Sequence, residues 1–279
     1  ATSRTADVDI DATLGDITGL TIEAATLADV WAGADATALE VDATTIEVDA
    51  TNIVAGGFTS SGATTLTARD DAVGNVIDAG AAATVTATDN VTGGTIDAVG
   101  AVNVTATNGN VDGIEIESDD VVNVTATNES ILNTTATGRL AVTFDADDSV
   151  IDGSAVSLTS SVRIDADDGE IDGINVNAGT TATLVATDTD NTGDGTIDNV
   201  EVTAAQTVTA TANDGFSSGN LESTAANVVA TATTGDIDDL VAVAYTQARI
   251  LASTGNITGG GATSRTADVD IDATLGDIT

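Results

Sequence analysis

The sequence predicts an all-β chain wound as a parallel β-solenoid, with about thirteen coils of ~20 residues in each long repeat. Three observations predict it. Residues 1–18, ATSRTADVDIDATLGDIT, return unchanged as residues 262–279, a period of 261 residues. A shorter rhythm runs inside that period, as in VNVTATNGNVDG (102–113), VVNVTATNESIL (121–132), SVRIDADDGEIDG (161–173) and VVATATTGDIDD (228–239). No stretch places apolar residues at the 3.6-residue spacing of a buried helix face. VAVAYTQARILA (241–252) comes nearest, and it keeps the register of the other copies.

Each copy reads as an alternating apolar/polar run, an alanine, a polar corner, then Ile or Val. The apolar anchors, in chain order, are Ile10, Val30, Val48, Leu66, Val85, Val104, Val124, Phe144, Ile164, Leu184, Val208, Ala230 and Ile250, and Ile271 restarts the cycle. An alanine lies two residues past every one, from Ala12 and Ala32 through to Ala252. Side chains alternate faces along a strand, so anchor and alanine point inward together and the Thr, Asp or Asn between them points out. A second inward column is expected seven past the anchor, at Ile17, Val73, Val111, Ile131, Ile151, Ile171, Ile237 and Ile257. Gly, Asn and Asp mark the corners. One coil cannot bury its own apolar side, so the coils must stack. At ~4.8 Å per coil, thirteen advance ~62 Å. The crossover rule for parallel strands favours a right-handed coil. Residues 1–261 read as one full repeat of a continuous solenoid, and 262–279 as the start of the next.

Composition narrows the function. Hydrophobic residues make up 42% of the chain, which argues against a disordered acidic tail or low-complexity linker, while aromatics at 2% suit a thin core of Val, Ile and Ala. The formal net charge is −39, from 45 acids against six arginines (Arg4, Arg69, Arg139, Arg163, Arg249 and Arg265) with no lysine. Such a surface repels nucleic acid and anionic lipid. It needs salt or cations to screen it, which points to a saline or divalent-rich extracellular or cell-surface setting. With no cysteine there are no disulfides, and no apolar run is long enough to insert into a membrane. No signal peptide and no initiator methionine are visible, so the chain is expected to be a processed or internal portion of something longer. Proline is absent, as expected where strands donate to neighbours on both sides.

The rhythm breaks once, between Leu184 and Val208, in DTDNTGDGTIDN (188–199). Asp188, Asp190, Thr192, Gly193 and Asp194 resemble the first half of a calcium loop, with oxygen ligands at alternate positions and glycine at the sharp turn. Asn199 stands where the closing bidentate glutamate belongs, so a bulged acidic turn and weak calcium binding through Asp188, Asp190 and Asp194 are both open readings. Elsewhere acids pair at corners (Asp70–Asp71, Asp119–Asp120, Asp147–Asp148, Asp167–Asp168, Asp238–Asp239). Asp145, Asp147, Asp165 and Asp167 are expected to form a cation patch two coils deep on one outer wall. Paired carboxylates also serve glycosidases. Here the chain is read as a non-enzyme, because His, Cys and Lys are all missing and most of the acid pairs are spread over separate coils.

Outward threonine pairs (Thr86/Thr88, Thr105/Thr107, Thr125/Thr127, Thr209/Thr211, Thr231/Thr233) resemble ice-binding arrays, but Asp145/Asp147, Asp165/Asp167, Arg69 and Trp31 interrupt them. Thr also favours exposed strand faces in its own right. Glycosylation sequons fall at Asn90, Asn103, Asn123, Asn128, Asn133 and Asn256.

Repeats such as VNVTATNGNVDGIEI (102–116) and VRIDADDGEIDGINV (162–176), a strand, a Gly/Asn corner and then I/V-D-G, resemble the repeat region of filamentous haemagglutinin-type exoproteins. The resemblance covers all thirteen coils and implies a secreted or surface β-helix used for attachment or filament building. The near-perfect long recurrence and the acidity without lysine depart from that family. The expected function is a structural subunit or repeat of an extracellular filament or stalk, self-associating end to end or continuing in tandem, with a cation-screened acidic surface. The alternatives are a cell-surface adhesin repeat region making cell-surface or matrix contacts, with a binding surface outside the chain or in the irregular segment NIVAGGFTSSGAT (52–64), and a calcium- or ice-binding solenoid module.

Overall fold

The computed structural model describes residues 1–189 and 192–279. Among the described residues there is no helix, and parallel strands stack as a β-solenoid of about fourteen turns. The chain divides into two units, residues 1–129 with 133–138, and residues 130–132 with 139–279.

In the first unit seven short strands form one wall: Val8–Ala12, Leu27–Ala32, Thr45–Ala50, Thr64–Ala68, Ala83–Ala87, Val102–Ala106 and Val122–Ala126. Each pairs in parallel with the next, so that Val85 lies beside Val104 and Val104 beside Val124, with Ala87, Ala106 and Ala126 in a second file. The second unit has an equivalent wall of its own, built from Val142–Ala146, Val162–Ala166, Ala182–Ala186, Val208–Ala212, Val228–Ala232, Ala248–Ala252 and Val269–Ala273. The alternation follows from V-x-V-x-A: first, third and fifth residues are buried, second and fourth are not. Alanine ends each strand where the chain turns the corner.

The opposite wall bends. Its segments run as two residues, then a left-handed residue, then four more, as in Val111–Asp112, Gly113 and Glu115–Ser118. The positive-φ position recurs two residues after the inward Ile, Val, Ala or Phe. It is glycine at Gly19, Gly74, Gly93, Gly113, Gly173 and Gly259, and otherwise Ala38, Ala55, Asn133, Asp152, Asn199, Ser218 or Asp239. This explains the I/V-D-G signature: the glycine supplies a conformation that a Cβ disfavours.

Three expectations about register change. Leu184 pairs with Ala210 rather than Val208, and Ala186 pairs with Ala212. The long coil is therefore 26 residues from Ala186 to Ala212 rather than 24. The run VTATA meets the "apolar, then alanine two later" rule at two positions, and a slip of two keeps every side chain on its own face. Consequently Thr209/Thr211 is not the equivalent of Thr231/Thr233, since Thr211 pairs with Thr231. In the second column Ala72 and Val150 point inward while Val73 and Ile151 do not, because the corner before them is one residue shorter and a one-residue shift reverses the faces. Segment 52–64 is not irregular either. Ile53–Val54 and Gly57–Ser60 are ordinary members of the bent wall, and Phe58 is buried. Its glycines are a packing device, for a Cβ on Gly56 would lie 2.4 Å from the Phe58 ring.

Candidate functional surface

The corner after the short wall carries a polar ladder. In the first unit the residue just before the inward column is Asp16, Asp35, Asn52, Asp71, Asn90 and Asn110 in successive turns. The Asp35 backbone N–H donates to Asp16 Oδ1 (3.1 Å), Asp71 N–H to Asn52 Oδ1 (3.0 Å), Asn90 N–H to Asp71 Oδ1 (2.9 Å) and Asn110 N–H to Asn90 Oδ1 (3.0 Å). Side-chain amides add lateral bonds, Asn52 Nδ2 to Asp35 and Asn90 Nδ2 to Asp71. In the second unit Glu170 N–H donates to Ser149 Oγ (3.1 Å), and Asn256 and Asp277 N–H donate to Asp236 and Asn256 (2.6 and 3.0 Å). These corner acids and amides cap the turn that follows, so each corner is held by its neighbour.

The outer face of the short wall and the corner after it bring acids together. Asp145 lies beside Asp165, and Asp167 feels Asp165, Asp145 and Asp147. Partial burial, then that repulsion, holds the Asp167 carboxyl above its ordinary range, with Arg163 opposing. Arg163 bonds Asp165. The four acids of the expected cation patch are thus electrostatic neighbours. Among the described residues, though, no three acidic side chains converge as a set that could hold a metal ion. Two other sites show acid against acid. Asp70 is raised by its hydrogen bond to Asp89, and Glu170 by burial and then by Asp172, Asp198, Asp194 and Asp148. Asp7 moves the other way, lowered by bonds from the Thr26 hydroxyl and the Leu27 N–H.

Of the calcium-loop residues, Asp190 lies outside the described residues. Asp188 accepts the N–H groups of Thr192 (3.2 Å) and Gly193 (2.9 Å). The Asp194 carbonyl accepts Thr196 N–H at 2.7 Å. Asn103 and Asn123 face outward side by side, with Asn123 Nδ2 donating to Asn103 Oδ1 at 2.9 Å.

One cluster on this face sets an aromatic ring among acids and an arginine. Trp31 stands on the outer face with Asp11 beside it on one neighbouring strand and Asp49 on the other. The Arg69 guanidinium lies 5.4 Å from its ring centroid, donates through Nε to Asp49 Oδ1 (3.1 Å) and through Nη2 to the Ala32 carbonyl. A notch of about 290 Å³ opens beside the ring, lined by Asp29, Glu47, Asp49, Thr65 and Thr67 as well as Trp31.

These features define an acidic β-helical repeat protein. Comparison with protein-family models, with curated proteins and with solved structures found no match to this chain.

Proposed function

We propose that this chain is a structural repeat of an extracellular β-solenoid filament or stalk whose acidic walls are screened by cations. The observation that carries the reading is where the recurrence falls. The strands Val8–Ala12 and Val269–Ala273 have the same sequence and occupy the same place in their turns, as do Asp16 and Asp277 in the corner ladder. A period spanning a whole number of turns can repeat without breaking wall, corner or core. The role is mechanical: parallel ladders bear load, inward Val, Ile and Ala exclude water, and the acids keep fibres apart.

The adhesin reading rests on the likeness of the I/V-D-G repeats to haemagglutinin-type exoproteins and remains the alternative. Electron microscopy of the native material in divalent-containing buffer tests both. Filaments with a ~60 Å axial repeat are expected. Discrete particles that bind cells would favour the adhesin.

A further inference from the structure

We propose that the notch beside Trp31 docks a basic side chain, arginine or lysine, presented by a positively charged segment of a partner protein. The inference is independent of the filament reading. Trp31 is the only tryptophan in the chain. It occupies an outward column that holds Asp11, Asp49, Thr67, Thr86 and Thr105 in other turns. The ring contributes little to the core from there, so an aromatic at this one level needs another reason.

The surroundings select a cation. Asp29, Glu47 and Asp49 line the notch with the ring and two threonines. Among the described residues Arg69 reaches Asp49, and no salt bridge reaches Asp29 or Glu47. An anion is repelled, and an apolar group would strip water from carboxylates without replacing it. A guanidinium or ammonium gains both the carboxylates and the aromatic face. Arg69 displays this chemistry within the chain, its guanidinium lying over the indole at 5.4 Å while bonding Asp49. Arg69 does not line the notch, which leaves Asp29 and Glu47 for a group from outside. The −39 charge would steer a basic segment toward the wall. The ring and its carboxylates fix where it seats.

Because the chain has one tryptophan, its emission reports this notch directly. The 279-residue protein is titrated at about 0.15 M salt, where long-range attraction is screened, with a short arginine–glycine peptide and with the same peptide carrying citrulline. A saturable emission change is expected with the arginine peptide. It should be weakened about tenfold or more with the citrulline peptide and in the Asp29→Asn/Glu47→Gln double variant. Both positions face outward, and circular dichroism confirms that the variant folds. Calorimetry on Trp31→Ala should show affinity lowered by about fivefold. Three results would overturn the proposal: peptide binding with no change in emission, an equal response in the double variant, or a response to a neutral oligosaccharide but not to the peptide.

Discussion

Replacing Asn90 by alanine tests the corner ladder at a single position. The Asn90 side chain donates to Asp71 Oδ1 at 3.0 Å and accepts the Asn110 N–H at 3.0 Å. A neutral bond contributes about 0.5–1.5 kcal/mol and one to a carboxylate about 1.5–3 kcal/mol. The loss therefore comes to about 2–4 kcal/mol, on a side chain that is partly buried and packs little. At a urea slope of about 3 kcal/mol/M the midpoint falls by about 1 M. Thr86→Ala, on the outer wall, serves as the control and should change stability by less than about 0.5 kcal/mol. Hydrogen exchange gives the local readout, since the Asn110 amide should lose protection ahead of Val104, which sits in the wall ladder. If Asn90→Ala and Thr86→Ala give equal midpoints, or if the Asn110 amide keeps its protection, the ladder does not hold the corners.

Asp167→Asn should raise the melting temperature and flatten its pH dependence. The carboxyl is held above its unfolded value by burial and by Asp165, Asp145 and Asp147. The native state therefore binds its proton more readily, and stability falls as pH rises from the unfolded carboxylate value through the raised native one. Melting curves from pH 3.5 to 7 (a window of about three units around the carboxylate range) would refute this by showing equal slopes for both proteins. Gly56→Ala should destabilise by about 1–3 kcal/mol, because its new methyl meets the Phe58 ring at 2.4 Å. Adding Phe58→Val should relieve the clash, so the double variant should be no less stable than Phe58→Val alone, as a double-mutant cycle in urea would measure. Ala38→Gly should stabilise by about 0.5–1 kcal/mol, since Ala38 holds φ at 50° in the left-handed region. An unchanged urea midpoint would contradict that.

The short wall was legible because V-x-V-x-A admits one reading of which face is buried, and the anchors from Val30 to Leu184 and from Ala230 to Ile250 are indeed inside. Register failed at Val208 for the complementary reason: VTATA looks the same after a shift of two. At Val73 and Ile151 two adjacent apolar residues compete for one inward place, and only the corner length decides between them. The left-handed position was visible where glycine fills it, at Gly113 and Gly173, and hidden where alanine does, at Ala38 and Ala55. The corner ladder was missed because Asp and Asn cap local and neighbouring backbone with the same atoms. Its signal was present all the same, as an Asp, Asn, Ser or Glu immediately before the inward residue in most turns. The spacing of the anchors Val30, Val48 and Leu66 already sets Asp29, Glu47 and Thr65 side by side, but that the Trp31 ring leaves an open notch against them depends on side-chain placement, which no linear spacing displays.

The central claim is that turns stack in parallel with one defined register, and it is tested most directly where two registers compete. The chain has no native cysteine. Val185→Cys with Thr211→Cys places two thiols side by side on adjacent outward positions, at the ~4.8 Å spacing that a disulfide spans. Val185→Cys with Thr209→Cys offsets them by two residues. Mild oxidation should cross-link the first pair and leave the second reduced. Cross-linking of the second pair instead, or of neither, would contradict the account.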